Sequence, residues 1–302
     1  MTKVKNDISI ESVRKQIISI LTDAHIPHPG LECDLVIAHV IRKSRVFLYS
    51  HPEILISIGN IKKILTLIKK RSKNIPLAYL ISKKNFFNLS FYICPGVLIP
   101  RPETELLIER TLHYLQSRRS KKTISMLDIG TGSGCIGLTI AHTWNTFPLS
   151  LTAIDISQTA LTCARKNYRM LKKKYYPLHT IHFKKISLTN HRVKKYDIIT
   201  ANLPYLSARE YTTACKHYPE ISKEPKSALI SSLDGCAHIF NTLQRLPEIL
   251  NRDGCAFFEC SSRQEKKISA YIKDHLPHWK WSFVRDYSNK TSIMKLARVS
   301  LF

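Results

Sequence analysis

Long apolar runs are missing from this chain of 302 residues, and none approaches the roughly 18 residues that a membrane-spanning helix needs. The first residues, 1–7, lead into no apolar segment of the kind that marks a secretory signal. We therefore expect neither a membrane protein nor a secreted one, but a cytoplasmic protein. Hydrophobic residues make up 44% of the chain and charged residues 23%, which is typical of a folded chain with one large domain or two domains.

Metal-binding patterns are missing as well. The eight cysteines include no Cys-x-x-Cys pair, and the 13 histidines show no spacing typical of ligands. Several cysteines, such as Cys135 and Cys255, lie inside apolar segments, where a free thiol behaves as a small hydrophobic group. We expect reduced and mostly buried thiols, and no metal site.

Acidic residues are scarce, with 22 Asp and Glu against 47 Lys and Arg, which gives a net charge of +25. The basic excess is spread along the chain and forms no separable tail. Attraction to an acidic or RNA-associated partner would explain this charge. Solvated surfaces in a lysine-rich proteome would explain it equally well, so the charge alone does not identify a partner.

The first 75 residues have the apolar spacing of amphipathic helices. Apolar residues recur every three or four positions in three stretches, which predicts a small helical bundle. The predicted apolar faces are Val13, Ile17, Ile20 and Leu21, then Leu31, Leu35, Val36, Ala38 and Val40, then Ile61, Ile64, Leu65 and Ile68. Residues 76–100 alternate apolar and polar side chains instead, which predicts a β-hairpin that links two domains.

Predicted strands and helices alternate through the rest of the chain. A helix is expected from Thr104 to about Gln116, and Ser157 can cap another that runs to about Leu171. Strands are predicted at residues 124–129, 149–155, 180–183, 196–201, 256–259, 282–285 and 292–298. This alternation favours an α/β domain over residues 101–302, with a mainly parallel sheet covered by helices on both faces.

A glycine-rich turn, Gly130-Thr131-Gly132-Ser133-Gly134, follows the first strand of that sheet. Glycines at a strand-to-helix turn let the backbone approach a ligand closely, so the turn predicts a nucleotide-type cofactor. Asp155 ends the second strand, where a carboxylate can accept the hydroxyl groups of a ribose. These residues suit a nicotinamide cofactor and S-adenosylmethionine alike, because Gly132–Gly137 also fits the G-x-G-x-x-G pattern.

The segment Asn202-Leu203-Pro204-Tyr205 comes directly after the fourth strand and favours methyl transfer. An amide or aromatic amine is a poor nucleophile because its lone pair is delocalised. The side-chain oxygen of Asn202 and the carbonyl of Leu203 can each accept one hydrogen of such an NH2 group. Pro204 stiffens the turn and Tyr205 can pack on the flat face of the group. Positioning and desolvation would then supply most of the rate of the displacement from a sulfonium.

With these residues in place, the chain resembles the release factor glutamine methyltransferases over nearly its whole length. Segment 97–105, Val-Leu-Ile-Pro-Arg-Pro-Glu-Thr-Glu, is the most distinctive match. The other matching residues are Pro76-Leu77-Ala78-Tyr79, Phe86, Glu224-Pro225, Ala228-Leu229, Asp234-Gly235, Glu259 and Gln264. The family has a proline where this chain has Leu203, and an acidic-aromatic pair near Ser187 where this chain has neither residue type.

The resemblance implies a helical substrate-docking domain at residues 1–75, a hairpin linker at 76–100 and a methyltransferase domain at 101–302. That last domain would be Rossmann-like, with a seven-stranded, mostly parallel sheet. Its cofactor would be S-adenosylmethionine, bound by the 130–134 loop, Asp155, Ser187 and Asn202. The Asn202–Tyr205 segment would hold the acceptor, with residue 203 contributing only its backbone carbonyl.

The implied reaction is methylation of the side-chain nitrogen of the glutamine in the Gly-Gly-Gln tip of class 1 peptide chain release factors. We expect a monomer that forms no stable nucleic-acid complex and binds no membrane. Two alternatives remain open at this stage. One is an adenine-N6 methyltransferase acting on DNA or RNA, and the other is a non-catalytic module that binds RNA or the ribosome.

Overall fold

A computed structural model describes residues 7–117, 123–172, 179–191 and 194–298. The chain divides into two compact units, the first being Met1–Ser82 with Tyr218–Lys223 and the second Lys83–His217 with Glu224–Phe302. The predicted limits of 1–75, 76–100 and 101–302 differ from this division and stay a prediction. The ends of the outer predicted domains, residues 1–6 and 299–302, lie outside the described residues.

The first unit is a helical bundle, as predicted. Ser9, Ser44 and Ser57 begin three of its helices, and each side chain accepts a hydrogen bond from the backbone N–H three residues later. The elements are β1 (Ile8–Ser9), α1 (Ile10–Asp23), α2 (Pro29–Ile41), α3 (Arg45–Ser50), β2 (Leu55–Ile56), α4 (Ile58–Arg71) and α5 (Leu77–Leu80). The two short strands, β1 and β2, pair antiparallel.

Helix α2 buries only part of the face that was predicted for it. Cys33, Val36 and Ile37 are buried, whereas Leu31 is exposed. The reason is Asp34, which is buried on the same face because it accepts hydrogen bonds from Arg14 (2.7 Å) and from the Tyr49 hydroxyl (2.6 Å). The predicted face was therefore right at Val36, with Ala38 and Val40 partly buried against the core, and wrong at Leu31. Two further members of the predicted faces, in α1 and α4, also lie at the surface: Ile20 and Leu65.

A buried arginine explains why residues 218–223 belong to the first unit. Arg71 is almost inaccessible, and its guanidinium pairs with Glu32 and with Glu220 (2.9 Å). Two carboxylates facing one buried guanidinium compensate the loss of its hydration. The segment carrying Glu220 is thereby held against α4.

The second unit contains a hairpin of β3 (Lys84–Phe86) and β4 (Leu89–Phe91) and a seven-stranded sheet within its described residues. The strands of the sheet are β5 (Ile124–Ile129), β6 (Leu149–Asp155), β7 (Thr180–Lys185), β8 (Tyr196–Ala201), β9 (Leu250–Ser261), β10 (Trp279–Arg285) and β11 (Thr291–Arg298). Their order in the sheet is β10-β11-β9-β8-β5-β6-β7, with β5 to β9 parallel and β10 and β11 antiparallel. The predicted Rossmann-like fold is confirmed.

Helices cover both faces of this sheet, so its central strands are buried on each side. All six residues of β8 are buried, and β5 has one partly exposed residue. The helices are α6 (Glu105–Ser117), α7 (Cys135–Thr143), α8 (Gln158–Leu171), α9 (Ala208–His217), α10 (Ala237–Ile249) and α11 (Glu265–His275).

All eight cysteines lie in described ranges and carry free thiols, six of them buried. Among the described residues, no helix has both the length and the apolarity needed to cross a bilayer.

Candidate active site

The pairing of the parallel strands brings four chain segments together at one edge of the sheet. Ile129 lies beside Ile154 on one side and Ala201 on the other, and Ala201 lies beside Phe258. The residues that follow are therefore neighbours at the carboxyl ends of the strands. The strand order also reverses between β5 and β8, which is where sheets of this type bind ligands.

A cavity of about 410 Å³ opens at this edge. Eight of the predicted site residues line it: Gly130, Gly132, Ser133, Asp155, Ser187, Asn202, Leu203 and Pro204. Its size is within the range of small-molecule sites. Three predicted site residues do not line it in the described part of the chain, namely Thr131, Gly134 and Tyr205. Hydrogen bonds of Thr131 and Tyr205, and the packing of Gly134, place these three residues next to the cavity.

The glycine loop adopts a backbone that side chains rarely allow. Gly134 has a φ of +82° at the start of α7, and a Cβ added there would lie 2.9 Å from Leu138 Cδ1 and 3.2 Å from the Ala164 methyl group. Gly130 has a φ of +66°, and a Cβ there would lie 3.1 Å from Leu203 Cδ2. The side chain of Leu203 thus packs directly over Gly130 and against the core beneath the sheet edge. The packing of Leu203 therefore restrains the loop after β8 at the position where the family has a proline.

Thr131 supports the loop from below. Its hydroxyl donates to Asp128 (2.6 Å), which also accepts from the Thr200 hydroxyl (2.8 Å). Asp128 is buried, and burial raises its pKa to about 6. These bonds join the ends of β5 and β8 beneath the cavity.

Asp155 binds the backbone of the loop with both carboxylate oxygens. Oδ2 accepts from the N–H of Gly132 (2.9 Å), and Oδ1 accepts from the N–H of Ser157 (2.8 Å). A carboxylate has about four acceptor positions, so two remain for a ligand in the cavity. The ribose contact of Asp155 stays a prediction, and its role in shaping the loop is an addition to it.

Asn202 is oriented by a threonine from a distant part of the chain. Its amide nitrogen Nδ2 donates to Thr104 Oγ1 (3.0 Å), and it also faces Glu259. Because the nitrogen and oxygen of a carboxamide point apart, Oδ1 is left toward the cavity that Asn202 lines. The free acceptor of Asn202 is therefore the group that meets whatever enters.

Tyr205 is held at both ends. Its hydroxyl donates to Glu259 Oε1 (3.1 Å), and its carbonyl accepts from Gln264 Nε2 (2.9 Å). Burial, followed by the nearby Glu259 charge, raises the pKa of the Tyr205 phenol well above its usual range. The loop after β8 is consequently fixed in one conformation next to the cavity.

A wall of the cavity is built from the 97–105 segment and the segment that begins at Glu224. The buried Glu224 accepts from the N–H of Ile99 (3.0 Å) with Oε2 and pairs with Arg101 through Oε1. Arg101 lines the cavity beside Thr104. The most distinctive segment of the family resemblance and the matching Glu224-Pro225 are thus tied together at the site.

The residue patterns alone gave no role to Thr104, Gly235, Glu259 or Gln264. Thr104 appears there as the start of a helix and within segment 97–105 of the resemblance, and the other three appear only as parts of the resemblance. The structure places all four around Asn202 and Tyr205. A sequence signal for Glu259 does exist, since an acidic residue following Phe257 and Phe258 is unusual within a buried strand.

Gly235→Ala is expected to disturb this site through the backbone. Gly235 has a φ of +85°, and an added Cβ would overlap the carbonyl oxygen of Tyr205 and Nε2 of Gln264. We expect a loss of roughly 1–3 kcal/mol in the free energy of unfolding, measured by urea denaturation. Gly59→Ala is the matched control, because a Cβ at Gly59 meets nothing within 4 Å. Equal stability of the two variants would show that Gly235 does not pack against Tyr205.

Comparison with known proteins gives matches in both parts of the chain. Residues 12–81 match the family model described as PrmC N-terminal domain, and residues 103–231 match the one described as Methyltransferase small domain. A release factor glutamine methyltransferase of Buchnera aphidicola subsp. Acyrthosiphon pisum (strain APS) is 34% identical over 263 residues, covering 86% of this chain and 89% of the relative. The enzyme of the same name from Buchnera aphidicola subsp. Schizaphis graminum (strain Sg) is 32% identical, covering 83% and 86%.

A third relative, the release factor glutamine methyltransferase of Coxiella burnetii (strain RSA 493 / Nine Mile phase I), is 31% identical and covers 88% of this chain and 91% of its own. Among solved structures, the hMettl16 catalytic domain in complex with the MAT2A 3'UTR hairpin 6 matches with a TM-score of 0.51 at 13% identity, covering 82% of this chain and 86% of that one. At that identity the likeness shows a common fold only.

Proposed function

The chain belongs to the family of release factor glutamine methyltransferases, and on that premise we propose that it methylates the glutamine side chain of the Gly-Gly-Gln tip of class 1 peptide chain release factors. The chain is an S-adenosylmethionine-dependent methyltransferase by fold and by family. The observation that supports an acceptor with an NH2 group is the orientation of Asn202, and the choice of a glutamine over an adenine amine rests on the family. Its Nδ2 is bound to Thr104, so its oxygen faces the cavity as a hydrogen-bond acceptor.

An acceptor of this kind suits a primary amide. A glutamine NH2 group has two hydrogens, and Asn202 Oδ1 would accept one while the carbonyl of Leu203 accepts the other. These two bonds would fix the direction in which the nitrogen points and favour the pyramidal geometry in which its lone pair is free. Holding the reacting atoms in line is worth several kcal/mol of activation free energy in transfers between two bound groups.

The cavity also fits the cofactor. The backbone turn at Gly130 and Gly132 and the carboxylate of Asp155 provide a cradle and two remaining acceptor positions. When bound, S-adenosylmethionine supplies the methyl group from a positively charged sulfonium. The residues of the chain would bind and orient the acceptor. No side chain has to take up the proton, because the methylated nitrogen is acidic enough to release it to water after the transfer.

We also propose that Ser187 contacts the cofactor, since it lines the same cavity at the end of β7. Tyr205 would contact the acceptor from beside the cavity.

The helical unit matches the PrmC N-terminal domain, and we propose that it docks the release factor. Its exposed apolar side chains include Val46, Tyr49 and Leu55, which could contact a protein. We propose a cytoplasmic monomer that forms no stable complex with nucleic acid.

The test is transfer of tritiated methyl from S-adenosylmethionine to a purified class 1 release factor. Label is expected on the wild-type factor and not on a factor whose tip glutamine is replaced by alanine. Double-stranded and single-stranded DNA and RNA serve as parallel acceptors. Label on the tip variant, or on nucleic acid in place of the factor, would contradict the proposed function, and the second result would favour an adenine methyltransferase.

A further inference from the structure

Glu259 lies directly beneath the acceptor residues and has no role in the mechanism above. It extends from β9, next to the end of β8, and is 1% exposed. Tyr205 donates its hydroxyl to Glu259 Oε1 at 3.1 Å, and the Thr104 hydroxyl and the Asn202 amide both act on the carboxylate as hydrogen-bond donors. Oε2 has no partner at full hydrogen-bonding geometry among the described residues.

We propose that Glu259 is the positioning residue that sets the direction of the hydrogen bonds around Asn202, so that the site accepts an amide only while this carboxyl is ionised. The proposal rests on the proposed function and concerns the same acceptor site. Glu259 does not line the cavity, and it acts through Thr104, Asn202 and Tyr205.

The argument depends on counting protons. An ionised carboxylate can only accept hydrogen bonds. The single hydroxyl proton of Thr104 is then directed at Glu259, and Thr104 Oγ1 remains an acceptor for Asn202 Nδ2, as observed at 3.0 Å. This chain of donors fixes Asn202 Oδ1 toward the cavity, where it can accept from the substrate amide.

Protonation of Glu259 removes that constraint. The carboxyl could then donate to Thr104, and Thr104 could donate to Asn202 Oδ1, which would turn the amide nitrogen toward the cavity. An NH2 group in that place would face the NH2 group of the substrate, with two donors and no acceptor between them. The orientation of Asn202 that binds an amide is therefore tied to the charge on Glu259.

The surroundings of Glu259 place its ionisation near neutral pH. Burial raises its pKa to about 7, and the hydrogen bonds from Thr104, Tyr205 and Asn202 oppose this shift. The charge of Glu103 raises the pKa further. The titratable or charged groups that act on Glu259 or on its tyrosine partner are Tyr205, Glu103, Arg101, Cys135 and Cys260. The thiols have raised pKa values and stay neutral in this range, and Tyr205 does too.

The test compares the wild-type enzyme with Glu259→Gln, using kcat and KM for methyl transfer to the release factor between pH 5.5 and 9. The wild-type kcat is expected to rise with an apparent pKa near 7, the value at which Glu259 ionises. Glutamine can donate to Thr104 as well as accept, so Glu259→Gln is expected to lower kcat by roughly tenfold to a hundredfold. It should also remove the rise near pH 7 and leave KM for the cofactor unchanged.

Tyr205→Phe and Glu109→Gln complete the set of variants. Tyr205→Phe removes one donor to Glu259 but keeps the carboxylate, so the pH dependence is expected to remain and its midpoint to move upward. Glu109 is exposed, and its variant should behave as wild type. A Glu259→Gln enzyme with wild-type kcat and the wild-type pH profile would overturn the proposal.

The thermal unfolding of wild type and Glu259→Gln gives a second readout that needs no activity. The folded pKa of Glu259, about 7, lies above its ordinary value of 4.5, so its protonated form stabilises the fold. The melting temperature of wild type relative to the variant should therefore fall between about pH 4.5 and 7 and level off above. A flat difference would overturn the proposal. Failure of the wild-type enzyme to methylate the release factor, with the fall in melting temperature present, would instead overturn the proposed function and leave the ionisation of Glu259 standing.

Discussion

Asn202→Ala is expected to lower kcat/KM for methylation of the release factor by about a hundredfold to a thousandfold, the range found when one oriented polar group is removed from an active site. The physical reason is the loss of the acceptor that faces the cavity, which Thr104 holds in place through a 3.0 Å hydrogen bond. Cofactor binding should persist in part, because the glycine loop and Asp155 are untouched. Steady-state kinetics together with calorimetric titration of the cofactor separate the two effects.

Asn202→Asp is the sharper companion variant. It keeps the shape of the side chain but loses the NH2 donor, and it places a second carboxylate beside Glu259. We expect it to be nearly as impaired as Asn202→Ala. Asn85→Ala, at an exposed position of β3, is the matched control and should keep full activity. An active Asn202→Ala enzyme would remove the segment 202–205 from the mechanism.

Asp155→Ala is expected to weaken S-adenosylmethionine binding on the order of a hundredfold, since hydrogen bonds to a charged group contribute about 1.5–3 kcal/mol each. Two losses combine in this variant. The proposed acceptors for the ribose disappear, and the N–H groups of Gly132 and Ser157 lose their bonds of 2.9 and 2.8 Å. Isothermal titration calorimetry of the purified protein measures the dissociation constant directly.

The control for this variant is Asp274→Ala, at an exposed position near the end of α11. It removes the same charge from the surface without touching the cavity, so any general effect of net charge on binding would appear in it. Unchanged cofactor affinity in Asp155→Ala would mean that the cofactor is held elsewhere.

The strands at the centre of the sheet were predictable with their limits. The predicted strands 124–129, 149–155 and 196–201 agree with β5, β6 and β8, because each is a short segment rich in apolar residues next to residues typical of turns, such as Gly130, Pro148 and Asn202. Strand β9 is longer than the predicted 256–259 and begins at Leu250. Polar residues between Leu250 and Cys255 interrupt the apolar run, and β9 is continued through them by pairing at each end, of Leu250 with Tyr196 and of Cys255 with Ile198.

The candidate site was predictable only where a motif lies within one segment. The loop 130–134, Asp155 and Asn202 were each recognisable from a few adjacent residues, and their meeting at one edge follows from parallel strand pairing. The support around Asn202 was not predictable in this way. Thr104 lies 98 positions away from Asn202, and Glu259 lies 54 positions from Tyr205. Such pairs are formed by the tertiary structure, and no local pattern links their members.

The substitution at Leu203 illustrates the same limit. The sequence shows that a stiff proline is absent, but it does not show what restrains the loop instead. The structure supplies the answer, since the Leu203 side chain packs over Gly130 and against the core. Leucine can thus restrain the loop in place of proline, because Gly130 has no side chain and leaves room for the leucine side chain.

The central claim is that Asn202 and the carbonyl of residue 203 present a protein glutamine for methylation on its side-chain nitrogen. The most direct measurement is mass spectrometry of the tip peptide of a class 1 release factor after reaction with this enzyme and S-adenosylmethionine. The account predicts one added methyl group, on the glutamine of Gly-Gly-Gln, present with the wild-type enzyme and absent with Asn202→Ala. An unmodified glutamine, a methyl group on another residue, or equal modification by Asn202→Ala would contradict it.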